Sequence, residues 1–121
     1  MAKTILVADD NPTIRKLLCH LFESEEEYDI CAEASNGQEA IALALEHRPQ
    51  LIILDLSMPV MDGLEAAREL KRLMPDVPII LFTQYADLGR HLLGLNLPVD
   101  RVVSKSETKA LMEHVRSLIP V

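Results

Sequence analysis

Short apolar runs alternate with helix-period segments from one end of the chain to the other, and few folds satisfy that alternation. Strands are expected at residues 4–8, 28–33, 51–54, 77–82 and 99–103. Each is followed by a helix, at 12–24, 37–47, 63–73, 86–94 and 107–118. This is the spacing of βα units, which build a parallel sheet with helices on its faces. The runs Ile5-Leu6-Val7-Ala8 and Leu51-Ile52-Ile53-Leu54 contain no polar residue, as expected of strands covered on both sides. Residues 28–33 alternate apolar with polar and read as an edge strand. Pro78 fits only near the beginning of the fourth strand, because proline cannot donate to a sheet ladder.

Helix starts carry their own signatures. Asn11 is expected to cap the first helix, with Pro12 in its first turn, where a missing N–H costs nothing. Ile14, Leu17, Leu18, Leu21 and Phe22 then repeat on one face. Asn36 followed by Glu39 resembles a capping box, ahead of the apolar side Ala40, Ile41, Ala44 and Leu45. Leu64, Ala67, Leu70 and Met74 line the third helix. Ser106 is expected to cap the last, whose inner face is Leu111, Met112, Val115, Leu118 and Ile119. Gly89 and Gly94 make the fourth helix the weakest of the five, and Asn96-Leu97-Pro98 ends it. Glu23 to Glu27 reads as a solvated helix end and loop.

The 121 residues suffice for one domain with a real core, and the 49% hydrophobic content excludes a disordered chain of the weakly hydrophobic kind. A net charge of −7 argues against nucleic acid as the main partner, since such binding rests on neutralising phosphates. Cys19 and Cys31 lack metal-ligand spacing and are expected to be buried thiols in a reducing compartment. The N-terminus enters a strand directly, and no stretch approaches the roughly 18 apolar residues of a membrane span. A cytoplasmic protein with no membrane contact is expected.

The strand ends carry the chemistry. Asp9 and Asp10 close the first run, Asp55 the third, Thr83 the fourth, and Ser104-Lys105 the fifth. A parallel α/β sheet gathers such ends on one edge, where open sheets bind their ligands. Three carboxylates brought together repel one another unless a cation intervenes. Oxygen donors from separate loops suit Mg2+, which binds through one or two carboxylates plus phosphate. Asp55 is then the candidate nucleophile, Lys105 a point charge for a phosphoryl oxygen, and Thr83 a hydroxyl donor to the same group. Lys105 can equally form a plain ion pair with Asp9 or Asp55. In the following loop Pro59 stiffens a turn, Gly63 supplies either a positive φ or close helix packing, Met58 and Met61 pack, and Asp62 starts a helix.

From Lys3 to about Leu118 the chain resembles a receiver domain of bacterial two-component response regulators. The resemblance rests on Asp9-Asp10, Asp55 with Met58-Pro59 and Met61-Asp62-Gly63, Thr83, and the Lys105 that ends the last strand. The wording Asp55-Leu56-Ser57-Met58-Pro59 and Ser104-Lys105-Ser106 is most similar to receivers of the NarL type. The resemblance implies a flavodoxin-like (βα)5 fold with strand order 2-1-3-4-5 and helices on both faces. It implies that Asp55 accepts a phosphoryl group from a phosphohistidine on a sensor histidine kinase or phosphotransfer domain. It further implies that Asp10, Asp55 and the main-chain carbonyl of Ser57 ligate Mg2+, with Asp9 acting largely through water. Lys105 would bridge to the phosphoryl group, and Thr83 would move toward it. That movement would reshape the face of the fourth helix, fifth strand and fifth helix, which a downstream protein or an output domain reads. Such a domain is a phosphoacceptor that assists its own phosphorylation and dephosphorylation rather than an enzyme acting on a substrate. A homodimer through the last helices fits the same pattern.

Two positions depart from the family. Val102 stands where receivers commonly carry an aromatic, three residues before the final lysine, and valine has no ring to swing inward. Gln84 follows Thr83 where a small residue is common, and is expected to narrow access to Asp55. Ser57 and Tyr85 fall at the positions that tune phosphate lifetime in the family, and Tyr85 is expected to shield the acyl phosphate and slow its hydrolysis.

Other classes compete. A pseudo-receiver, an interaction domain of this fold that signals without phosphate, is favoured by Val102 and the weak fourth helix, and opposed by the intact acidic set and Lys105. A hydrolase of the aspartyl-phosphate type lacks room for a substrate cap and a further acid to serve as general base. A flavodoxin would want a Ser/Thr/Gly-rich first loop where this chain has Asp9-Asp10-Asn11.

Overall fold

A computed structural model describes residues 2–85 and 98–121. Its five strands are β1 (Lys3–Ala8), β2 (Tyr28–Ala34), β3 (Leu51–Leu54), β4 (Ile79–Thr83) and β5 (Arg101–Ser104). They form one parallel sheet in the order β2-β1-β3-β4-β5, which is the strand order expected. Four helices are described: α1 (Pro12–Glu23), α2 (Gly37–His47), α3 (Gly63–Leu73) and the C-terminal α4 (Thr108–Leu118). The helix expected at 86–94 lies outside the described residues. None of the described helices is long and apolar enough to cross a membrane.

The period-two geometry of strands divides the interior into two layers. Leu6, Ala8, Ile52, Leu54, Ile79, Leu81 and Val102 point to one face and pack with Ala40 and Ala44 of α2 and Ala66, Ala67 and Leu70 of α3. Ile5, Val7, Leu51, Ile53, Ile80, Phe82 and Val103 point to the other, against Leu18 and Phe22 of α1 and Leu111, Met112 and Val115 of α4. Unbroken apolar strands are what two covered faces require. β2 is an edge strand, as its alternation predicts, and its register slips between Ile5 and Leu6 so that Cys31 is the extra residue.

Three caps form as expected. The side chain of Asn11 accepts from the Thr13 N–H at 2.9 Å, Asn36 from Glu39 at 2.8 Å, and Asp62 from Glu65 at 2.9 Å. The Asn36 box closes one residue early, because the Glu39 carboxylate returns to the Ser35 N–H at 3.0 Å. Ser106 is not the cap of α4. Its N–H donates to Ser104 Oγ at 3.2 Å and the two hydroxyls meet at 2.8 Å, so a local serine turn consumes it and Glu107 takes the N-cap position. Leu17 and Leu45, expected on inner faces, are exposed at the margins of their apolar stripes. Cys19 and Cys31 are half-buried rather than buried, because both flank the open edge of β2.

Candidate functional site

Register places the site. Ala8 pairs with Leu54 at the ends of β1 and β3, and the Asp55 N–H donates to the Ala8 carbonyl at 2.9 Å, so Asp9 and Asp55 leave adjacent strands side by side. One strand further, Thr83 pairs with Ser104, and the Lys105 N–H donates to the Thr83 carbonyl at 3.1 Å. Carboxylate oxygens of Asp9, Asp10 and Asp55 lie within 4.8 Å of one another. The Lys105 ammonium joins them, with Nζ 2.7 Å from Asp9 Oδ2 and 3.1 Å from Asp55 Oδ2. The plain ion pair read from the sequence therefore exists, to both acids at once.

Burial makes this cluster electrostatically tense. Asp9 is 2% and Asp55 5% exposed, while Asp10 lies open to solvent. Burial pushes the Asp55 carboxyl above its ordinary value, the Asp9 charge adds to that push, and the bonds to Lys105 only partly offset them. Burial alone would draw the Lys105 ammonium down, yet its bonds to Asp9 and Asp55 hold it above its ordinary value. One ammonium against three carboxylates leaves an excess of negative charge in a mostly buried place. That donor set, all hard oxygens with one acid open to solvent, fits a divalent cation that keeps part of its water.

Thr83 is wholly buried at the end of β4, and its Oγ1 accepts from the Tyr85 N–H at 3.1 Å. Gln84 and Tyr85 are exposed beside it. Ser57 is exposed in the loop after β3, two residues past Asp55. In that loop Met58 is buried and Met61 packs against the same core, so both are packing residues. The positive φ falls on Val60, at 68°, and no glycine carries one among the described residues. The Met61 N–H donates to the Pro59 carbonyl at 2.7 Å, closing a tight turn centred on Val60. Gly63 serves close packing instead: a Cβ there would stand 2.1 Å from the Asp55 carbonyl oxygen. Val102 is buried in the core, where it lines the face shared with α2 and α3.

One residue of the site escaped the sequence reading. Arg15 of α1 donates from Nη1 to the Asp9 main-chain carbonyl at 2.7 Å, and its Nε stands 3.5 Å from Glu33 Oε1 on β2. The signal available was its position: Arg15, Leu18 and Phe22 share one side of α1, and a cation on an inward stripe needs an acceptor.

The family model for the response regulator receiver domain matches residues 5–116. The chain belongs to this family. Among curated receivers it is 41% identical over 105 residues to chemotaxis protein CheY of Halobacterium salinarum, covering 87% of this chain and 86% of that protein. Among solved receivers it resembles the response regulator TrrA of Thermotoga maritima in complex with Mg2+-BeF. The TM-score there is 0.86 at 38% identity, over 97% of this chain and 99% of that one. It also resembles a DNA-binding response regulator of the LuxR family from Staphylococcus aureus, with a TM-score of 0.86 at 26% identity over 96% and 98% of the two chains. Other curated relatives are longer, and the chain spans from 21% to 51% of their length.

Proposed function

We propose that Asp55 is the phosphoryl acceptor of this receiver, charged by a phosphohistidine on a sensor histidine kinase or phosphotransfer domain. The observation that carries this is the cluster itself: three carboxylates with oxygens within 4.8 Å, and a lysine bonded to two of them. In the transfer, an Asp55 carboxylate oxygen forms a bond to phosphorus as the histidine N–P bond breaks, and the departing imidazole nitrogen takes up a proton. Asp10, Asp55 and the Ser57 carbonyl would hold Mg2+, with Asp9 acting through water. When bound, the cation relieves the carboxylate repulsion and draws charge from the phosphoryl oxygens. Lys105 is released from Asp55 as that carboxylate becomes an acyl phosphate, and its ammonium turns to a phosphoryl oxygen. The Thr83 hydroxyl, whose oxygen accepts from the Tyr85 N–H, donates its own O–H to the same group.

The added charge of about −1.5 to −2 is local, and a two-state element must amplify it for a partner. β5 and α4 contribute to the face read by the downstream protein or output domain. Because Val102 has no ring, the response runs through Thr83 and the backbone bond from Lys105 rather than through a rotating aromatic. Tyr85, half-exposed beside Thr83, slows hydrolysis of the acyl phosphate by shielding it. We place the protein in the cytoplasm, where kinase and phosphotransfer domains would meet it.

Intact mass with Mg2+ and acetyl phosphate tests the reading. The parent is expected to gain the mass of one phosphoryl group, Asp55→Asn none, and Lys105→Ala to gain it more slowly. A parent that gains no mass, yet binds a partner as well with as without the donor, would support the phosphate-independent alternative.

A further inference from the structure

Asp9 is held from four sides. Its N–H donates to the Ala34 carbonyl at 3.0 Å, its Oδ1 accepts from the Asn11 N–H at 2.9 Å, and its Oδ2 takes Lys105 at 2.7 Å. The fourth hold is the Arg15 guanidinium on its carbonyl oxygen, at 2.7 Å. That carbonyl belongs to the peptide joining Asp9 to Asp10. Peptide groups are planar, so fixing the direction of this C=O fixes the plane from which Asp10 departs. Asp10 is exposed, so packing does little to fix it and its direction depends on the backbone behind it. Arg15 is itself anchored: its side chain is 21% exposed and Glu33 of β2 stands on its Nε side. The guanidinium addresses Asp9 and Glu33 from two separate nitrogens held in one rigid plane, whereas a lysine would offer a single point charge on a flexible stem.

We infer that Arg15 is a positioning residue for the metal site: by clamping the Asp9–Asp10 peptide it aims the Asp10 carboxylate at the cation. The inference rests on the reading of Asp9, Asp10 and Asp55 as a Mg2+ site. Loss of charge alone and loss of aim have opposite signs. Removing a positive charge close to a dication strengthens binding of that dication. Removing a residue that aims its ligand weakens it, and outer partners of this kind are commonly worth about tenfold or more in metal affinity.

The test is calorimetric titration of Mg2+ into the parent, Arg15→Ala and Arg15→Lys, well below the melting transition of each. Arg15→Ala is expected to raise Kd by about tenfold. Arg15→Lys keeps the charge and loses the fork, and is expected to fall between the two. Should the alanine variant fail to fold, the lysine variant decides alone. A folded variant that binds Mg2+ as tightly as the parent, or more tightly, overturns the inference and leaves the site reading intact. A parent that takes up no Mg2+ overturns both.

Discussion

At the scale of the residue, the tension lies in Asp55. Its carboxyl sits above its ordinary value because of burial first and the Asp9 charge second, and Lys105 does not fully compensate. A group whose value is raised on folding contributes its stability at pH below its unfolded value and loses it as pH rises through the folded one. At neutral pH Asp55 is therefore a cost to the fold in the absence of metal. Asp55→Asn keeps the shape and removes the charge. It is expected to raise the metal-free melting temperature at pH 7 by roughly 3–6 °C, about 1 kcal/mol for a domain of this size. The gain should shrink as pH falls from the raised folded value toward the ordinary carboxylate value, and vanish below the latter, where the carboxyl is neutral in both folded and unfolded parent. Calorimetric melts across that range check it; an asparagine variant that melts lower than the parent at pH 7 would contradict it. Mg2+ should raise the melting temperature of the parent and do so less for the variant. At this scale the acids and Lys105 were legible because charged groups closing apolar strands stand out in a sequence. Arg15 was only half legible: its place on the inward stripe of α1 calls for an acceptor, but that acceptor is a main-chain carbonyl, which leaves no mark in the residue pattern.

At the scale of the element, local rules served well where a capping side chain had no local rival. Asn11, Asn36 and Asp62 cap as their types dictate. Ser106 failed because Ser104 competes for it two residues away, a contest that cap propensity does not weigh. The loop from Met58 to Gly63 shows a similar limit. Glycine permits a positive φ, yet the positive φ fell on Val60, a β-branched residue 76% exposed, and Gly63 was needed for its missing side chain. The Gly63 N–H donates to the Leu56 carbonyl at 2.9 Å, so the start of α3 rests directly on the strand end that carries Asp55. A methyl group at 63 would meet the Asp55 carbonyl oxygen at 2.1 Å and carbon at 2.9 Å, and Leu56 Cα at 3.0 Å. These are backbone atoms and cannot swing aside. Gly63→Ala is expected to cost about 2 kcal/mol in urea unfolding and to weaken Mg2+ binding as the Asp55 loop shifts. A variant within about 0.5 kcal/mol of the parent, a change typical of a surface site, would show that α3 does not press on the loop.

At the scale of the whole molecule, the parallel sheet makes one site out of distant segments. The alternation of strands and helices predicts the class, and the unbroken apolar runs predict that both faces are covered; both hold. Strand order is not readable from periodicity, since each apolar run would pair acceptably with several others. It came from the resemblance to receivers. With β1 and β3 adjacent and β4 and β5 beyond them, all the reactive groups leave the sheet at one edge, and a lysine some 50 residues away from an aspartate bonds to it. On the function proposed above, this convergence makes Asp55 the one phosphoryl acceptor. Borohydride reduces an aspartyl phosphate to homoserine and leaves free carboxylates untouched. Peptide mapping after treatment with acetyl phosphate, Mg2+ and then borohydride should find homoserine at position 55, with Asp9 and Asp10 unchanged. Homoserine at 9 or 10, or at none of the three in a protein that has gained phosphate, would contradict it.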